Sequence, residues 1–440
     1  MNLSGSSSIL FKIVDIFKCK SLSYITLLFF VISISIKGTV AHPVVADEQQ
    51  IQTILVEHGF ENVAVCTDSN ALIVTYENRI FRHEVKAIRE VFTLVSGILE
   101  SPTSIVLIPQ NRGIPLTAIL LDTDTISKFF NSENNKNISY SKVRVSFATD
   151  TYWKKLKKRR HSNLSARKFD ITVYPQYNVL FGNFDDPVKS QFNLAPAVST
   201  SLWKGMSLFA QWIFPIRNEL SSEGDHGRPG LLLLNQTFRL PFTAFISATT
   251  GYFSNNRYGI DFETRKYLFN GRFAIGADVG YTGYASYRKG VWYYSDIDVW
   301  TFFFNTEYRF QKFDFKVKAT YGLFLDRKKG WRFDVLRQFN EVDIGFFFLT
   351  TESGYNGGFN FSIPILPSRY MPTWPLRISP AKKFPWEYRY RAYPTNGRHY
   401  KTQNSIDAYL KRLDAGYIKN RLSEDEKNNN PQFFTFKQKE

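Results

Sequence analysis

Two groups of residues have the types and spacing that acid–base chemistry requires. Ser222, Asp225 and His226 share the segment Ser221–Gly227, and Asp296 and Asp298 are two residues apart, which places both carboxylates on one face of a strand. A nucleophilic triad needs a base held beside its serine, and paired carboxylates can exchange protons with a substrate. Ordinary loop or solvent-exposed polarity explains both groups more simply. An enzyme acting on lipid or glycan, with Asp225 and His226 at its site, is therefore the alternative and not the main prediction.

Metal and cofactor motifs are absent from the sequence. No cluster of Cys and His has the spacing of metal ligands, and no glycine-rich phosphate loop follows a strand-like run. We therefore predict no catalytic residue, no metal and no cofactor.

A different kind of candidate comes from charged residues inside alternating runs. From Phe313 to Leu325, aromatic and apolar residues occupy every second position, and the intervening positions include Asp314, Lys316, Lys318 and Thr320. Such a period of two is typical of a strand, whose successive side chains point to opposite faces. The same pattern recurs in earlier runs, so one face carries charges and the other carries Phe and Tyr. The residues predicted to face a polar interior are Lys316, Lys318, Arg272, Asp278, Glu263 and Asp261.

About a dozen such runs fill residues 169–366, each of roughly 8 to 14 residues, close to the 9 to 11 of a tilted membrane strand. They predict a mainly β fold, a transmembrane antiparallel β-barrel of about 12 strands with lipid against its aromatic face. A closed barrel leaves no unpaired strand edge in the hydrocarbon. A soluble β-sandwich is the alternative, but it does not explain charges in the middle of strands.

The N-terminus has the pattern of an export signal. Basic residues up to Lys20 precede an apolar run, Tyr24–Ile36, and Thr39-Val40-Ala41 is a suitable cleavage triplet. The run is shorter than the ~20 residues that span a bilayer, which disfavours the alternative of a retained inner-membrane anchor. We predict a signal peptide at residues 1–41, with cleavage as late as residue 46 as the second option. The predicted location is the cell outer membrane.

Three further regions flank the barrel. Residues 48–130 have the order α-β-β-α-β-β and predict a small α+β module with an antiparallel sheet, located in the periplasm. Residues 131–168 are predicted to be a linker that could include a first strand. Residues 367–440 form a basic, aromatic C-terminal extension, which is either loosely packed or contacts a partner or an anionic glycan.

The net charge of +17 would indicate a nucleic-acid partner in a cytosolic protein. Export removes that interpretation, so no nucleic acid is predicted. The basic residues are then either solvated loops and tail or contacts to acidic lipid headgroups or an anionic polysaccharide.

Five strand and turn motifs lie within residues 169–367: Val179–Asp185, Phe214–Asn218, Gly271–Gly276, Phe339–Phe347 and Gly357–Ile365. Together they resemble the YjbH-like family of outer-membrane β-barrel proteins. The resemblance implies a non-catalytic role in the secretion or assembly of an exopolysaccharide or capsule, with outer-membrane lipid and proteins of the export machinery as partners. A structural or adhesive barrel is a further alternative.

Overall fold

The chain is described by a computed structural model over residues 47–68, 71–99, 103–123, 143–182, 187–390, 397–403, 405–410 and 413–428. The predicted signal peptide at residues 1–41 lies outside these ranges, as does its alternative end at residue 46. Residues 131–142 of the predicted linker also lie outside them. Within the described ranges, no helix combines the length and apolar character needed to cross a membrane.

The N-terminal module, residues 47–168, is a mixed sheet covered by helices. The elements are α1 (Glu48–Glu57), β1 (Glu61–Asp68), β2 (Ala71–Glu77), α2 (Glu84–Ile98), β3 (Ser104–Asn111), β4 (Ile114–Pro115), β5 (Ala118–Leu121), β6 (Arg144–Ser146) and α3 (Asp150–Leu156). The strands follow the spatial order β1-β2-β3-β5-β6, and β4 pairs with β3. A line of apolar side chains along one face of α2, including Ile88 and Phe92, is fully buried against the sheet.

The sequence led us to expect an antiparallel sheet in the module, but the sheet is mixed. Strands β2 and β3 run parallel, while the other pairs of neighbours are antiparallel. The reason is the crossover: α2 returns the chain to the end where β2 began, and a strand that follows such a helix runs in the same direction as its neighbour.

The predicted linker also needs correction, because residues 143–168 belong to the module. Strand β6 pairs with β5, and Leu156 of α3 is buried in an apolar cluster with residues of β1 and β3. Ser162 exchanges two backbone hydrogen bonds with Val63 of β1, of 2.8 and 3.0 Å. This part of the chain completes the module and adds no strand to the sheet that follows.

The rest of the fold is dominated by a 14-stranded sheet, which we call the large sheet. Twelve consecutive antiparallel strands match the twelve predicted runs, so the mainly β fold is confirmed. They are β7 (Phe169–Phe181), β8 (Val188–Thr200), β9 (Met206–Asn218), β10 (Arg228–Leu240), β11 (Ala244–Phe253), β12 (Arg257–Leu268), β13 (Phe273–Arg288), β14 (Val291–Phe310), β15 (Phe315–Leu323), β16 (Lys329–Phe339), β17 (Val342–Thr351) and β18 (Gly354–Pro364).

Both edge strands of the large sheet come from one short segment of the predicted C-terminal extension. Strand β19 (Leu376–Pro380) pairs in parallel with β7, and β20 (Lys383–Arg389) pairs antiparallel with β18. Only Ala381 and Lys382 separate the two strands. The expectation of a loosely packed tail is therefore wrong for this segment, because the backbone is paired in a strand both before Ala381 and after Lys382.

After the strands, the chain contributes two helices, α4 (Ile406–Leu410) and α5 (Ala415–Asn428). Tyr417 and Ile418 of α5 are fully buried in the same apolar cluster as α2 of the module. This cluster also contains Phe245 and Tyr267 of the large sheet. The module, the C-terminal helices and one end of the large sheet thus share a single core.

Candidate functional site

The two faces of the large sheet have opposite chemistry. On β14, Phe302 and Phe304 are 48% and 46% exposed, whereas Asn305 and Glu307, on the other face, are 3% and 5% exposed. Alternation along each strand produces this division, because neighbouring side chains point to opposite sides. We call the aromatic side the outer face and the buried, polar side the inner face.

A cluster of buried charges lies on the inner face. Lys316 Nζ of β15 is 3.0 Å from Glu307 Oε2 of β14 and 2.9 Å from Asp407 Oδ2 of α4. Arg265 Nη1 of β12 lies 3.1 Å from Asp407 Oδ1, and Arg265 Nη2 lies 3.9 Å from Glu307 Oε2. A buried ion without a partner is costly, so each of these side chains depends on the others.

Five of the six predicted polar residues lie on this face. Asp261 Oδ2 accepts a 2.6 Å hydrogen bond from the Tyr400 hydroxyl, and Glu263 Oε2 accepts one of 2.9 Å from the Ile406 backbone N–H. Asp278 accepts a 2.5 Å bond from Asn305 Nδ2. Lys316 pairs with Asp407 as described, and Lys318 lies opposite Glu307 in the register of β14 and β15.

Arg272 differs from the expectation. It is exposed and precedes β13, directly after the turn Phe269–Gly271, and its Nε donates to Gln311 Oε1 at 3.0 Å. Asn270 has a positive φ of 56°, so the chain turns there and the alternation of β13 starts one residue later than the sequence suggested.

Three residues of the cluster were missed by sequence reasoning. Arg265 and Glu307 continue the alternation of their strands, so the period of two could have identified them. Asp407 could not be found in this way, because it comes from a helix of five residues in a tail predicted to lie outside the sheet.

The C-terminal chain lies against the inner face before it reaches the module. Tyr400 stacks on Phe253 with ring centroids 4.9 Å apart and is 1% exposed. Gly280 of β13 provides the space, since a Cβ atom at this position would be 1.7 Å from the Tyr400 hydroxyl oxygen. Further along, Tyr417 is 2.7 Å from His83 Nε2 at the start of α2. We call residues 397–403 and 405–410 the inner segment.

Charged side chains attach the module to one end of the large sheet. Arg82 forms a bidentate ion pair with Glu341 in the turn between β16 and β17, with distances of 2.6 and 2.9 Å. Arg239 of β10 donates to the carbonyl oxygens of Pro115 and Leu116, at 2.9 and 2.7 Å, and of Phe147. These contacts fix the orientation of the module on the sheet.

A cavity of about 240 Å³ lies beside this junction. Glu84 lines it, and burial raises the pKa of the Glu84 carboxyl, although Asn78 donates a 2.8 Å hydrogen bond to it. Arg79 and Asp170, 2.6 Å apart, line the same cavity and join the module to β7. The cavity is thus bounded by charges from both parts of the fold.

The candidate catalytic groups are not arranged as a site. The Asp225 carboxylate accepts a 2.7 Å hydrogen bond from Asn218 in the described structure, and no hydrogen bond joins it to His226, which is exposed. Asp298 pairs with Arg327 at 2.7 Å on an exposed surface. Among the described residues, no group of three or more His, Cys, Asp or Glu side chains is placed to hold a metal ion.

The chain was compared with solved structures and with curated proteins. The solved structures similar to the chain include OmpTdeltaL8, a loop L8 deletion mutant of OmpT, an outer membrane protein of Vibrio cholerae. It is 8% identical, with a TM-score of 0.26, and the match covers 44% of this chain and 86% of that chain. None of the curated proteins matches the chain.

A family model does match the chain. Residues 37–231 match the model of the YjbH family, described as "Exopolysaccharide biosynthesis protein YbjH". The match includes the whole module and the first strands of the large sheet, whereas the motifs noted from Gly271 onward lie beyond it. Over residues 37–231 the chain is therefore similar to the YjbH family, and the predicted resemblance is confirmed.

Proposed function

We propose that this chain is an outer-membrane β-barrel protein that assists the secretion or assembly of an exopolysaccharide or capsule and has no catalytic role of its own. The membrane location is supported by the large sheet, which exposes its apolar side chains and buries its polar ones. Its outer face exposes a broad array of large apolar side chains, including Trp300, Phe302 and Phe304. A soluble monomer rarely exposes so large an apolar surface, whereas a bilayer solvates it.

Closure of the large sheet into a barrel is supported by its two edge strands. Strands β19 and β20 are consecutive in the chain, and the Ala381 N–H between them donates to the Val173 carbonyl of β7 at 2.9 Å. Phe181 of β7 and Tyr388 of β20 contact each other, with ring centroids 5.8 Å apart. A barrel closed through this segment would leave no extended unpaired edge in the lipid.

The link to polysaccharide rests on the YjbH family model, which matches residues 37–231. An assisting role, rather than that of a permanently open channel, is supported by the inner segment, which covers part of the inner face. The module with its buried apolar core is suited to an aqueous compartment, and the proposal assigns it to the periplasm, where it would contact other proteins of the export machinery.

Membrane fractionation combined with gel mobility tests the location. We expect the full-length protein in the outer-membrane fraction, with a faster mobility before heating than after, because folded barrels resist detergent. Recovery in the soluble periplasmic fraction would contradict the proposal.

Gene deletion and complementation test the role. Loss of the gene should reduce surface polysaccharide under conditions in which the polymer is made, and the wild-type gene should restore it. The double variant Asp225→Asn, His226→Ala should restore it equally well. Failure of this variant alone would favour the enzymatic alternative, and an unchanged surface polymer after deletion would contradict the role in polysaccharide export.

A further inference from the structure

Arg265 and Lys316 bind a carboxylate in this structure, and the carboxylate is supplied by the chain itself. Their partner Asp407 belongs to the inner segment, while both cations belong to strands of the large sheet. The site is buried, with Arg265 and Lys316 side chains 3% and 7% exposed. Charged groups in such surroundings interact strongly and retain a partner of opposite charge.

Asp407 satisfies this site incompletely. Arg265 Nη1 lies 3.1 Å from Asp407 Oδ1 but without the geometry of a hydrogen bond, and the buried Tyr267 hydroxyl has no hydrogen-bond partner within the described structure. Buried polar atoms without partners are uncommon in native proteins and call for an explanation. A guanidinium and a carboxylate can form two parallel hydrogen bonds, and Asp407 on its short helix does not provide this geometry.

The inner segment is anchored to the rest of the protein on both sides. On one side β20 is paired with β18, and on the other α5 is buried against the module. Between these points the described contacts include the Tyr400 bond to Asp261 and the Ile406 bond to Glu263. A tethered occupant of this kind has a high effective concentration and competes with any ligand for the same cations.

We propose that Arg265 and Lys316 form a binding site for the carboxylates of an acidic saccharide chain, and that Asp407 occupies this site when no saccharide is present. The inference rests on the proposed function and deepens it, because it names the class of polymer as one that contains uronic acid or a similar carboxylate. Asp261, Glu263 and Asn305 lie on the same inner face and supply acceptors and donors for sugar hydroxyl groups.

The test measures binding of hexagalacturonate to the full-length mature protein in detergent by titration calorimetry, with neutral maltohexaose as the comparison ligand. Asp407→Asn removes the internal competitor, so we expect at least a tenfold gain in affinity for hexagalacturonate and none for maltohexaose. Adding Lys316→Met to this variant should abolish the gain. Asp298→Asn makes the same change of charge at an exposed ion pair and should leave the affinity unchanged.

A second variant displaces the inner segment without changing any charge. In Gly280→Ala, the added methyl group would collide with the Tyr400 hydroxyl, and we again expect tighter binding of hexagalacturonate. Heat-modifiable mobility verifies that each variant is folded. The proposal is overturned if both folded variants bind hexagalacturonate no better than the wild type, or if both ligands gain equally. Such a result would leave the fractionation and deletion experiments unaffected, so the two proposals can fail separately.

Discussion

The N-terminal module and the large sheet bury opposite kinds of side chain. In the module, Ile88 and Phe92 are fully buried and the core is apolar. In the large sheet, Asn305 and Glu307 are buried while Phe302 and Phe304 are about half exposed. Both regions follow the ordinary periodicity of their helices and strands. The module covers its apolar side chains with its own core, whereas the large sheet leaves its apolar face exposed, and the proposed function places lipid against that face.

The largest expected effect is in the core of the module. Phe92→Ala removes a fully buried ring from α2, and such changes cost about 3–5 kcal/mol because a cavity remains. The free energy of unfolding, measured by urea denaturation of the full-length protein, should fall by this amount. Thr93→Ala, at the exposed neighbouring position, should change it by less than about 0.5 kcal/mol. Equal effects at the two positions would contradict a conventional core.

On the outer face of the large sheet, stability should be sensitive to an introduced charge and not to the loss of side-chain volume. Phe304→Arg should destabilise the protein in bilayers by about 2–4 kcal/mol if the residue lies near the membrane centre. Phe242→Arg, in the turn between β10 and β11 and 80% exposed, should have a much smaller effect. Folding in lipid vesicles at increasing urea concentration measures both. If Phe304→Arg is as harmless as a surface change in a soluble protein, the outer face does not contact lipid.

The same contrast explains how much could be predicted from sequence. The twelve runs of the large sheet were found because alternation is a local signal, and the module was found because its periods change from helix to strand. In β20, Phe384, Trp386 and Tyr388 also alternate with polar residues and proline, so this strand could have been recognised. The pairing of Asp407 with Arg265 and Lys316 could not, because it joins residues far apart in sequence and depends on where the tail crosses the sheet.

The junction between the two regions should show an intermediate effect. Arg239→Met leaves the carbonyl groups of Pro115, Leu116 and Phe147 without their donor, and a buried group deprived of its partner costs about 1–3 kcal/mol. We expect a lower unfolding midpoint and faster proteolysis of the module, with the sheet still protected. Arg217→Met removes the same charge from an exposed side chain and should change neither. Unaltered proteolysis in Arg239→Met would mean that this arginine does not hold the module in place.

The smallest expected effect concerns pH and the cavity at the junction. Burial raises the pKa of the Glu84 carboxyl above its ordinary value of 4.5, against the opposing influence of Asn78, Lys382 and Tyr76. The folded protein therefore binds this proton more tightly than the unfolded chain does. Its contribution to stability is fully present below pH 4.5 and is lost as the pH rises through the pKa of the folded state.

Glu84→Gln removes this titration while keeping the size of the side chain, so the decline in stability above pH 4.5 should become shallower than in the wild type. Unfolding midpoints in urea at a series of pH values measure the difference. Identical pH profiles would show that the cavity hydrates Glu84 as well as bulk water does. In that case the junction would be an open, aqueous contact between the two regions, and the module would be more free to separate from the large sheet than the buried ion pairs imply.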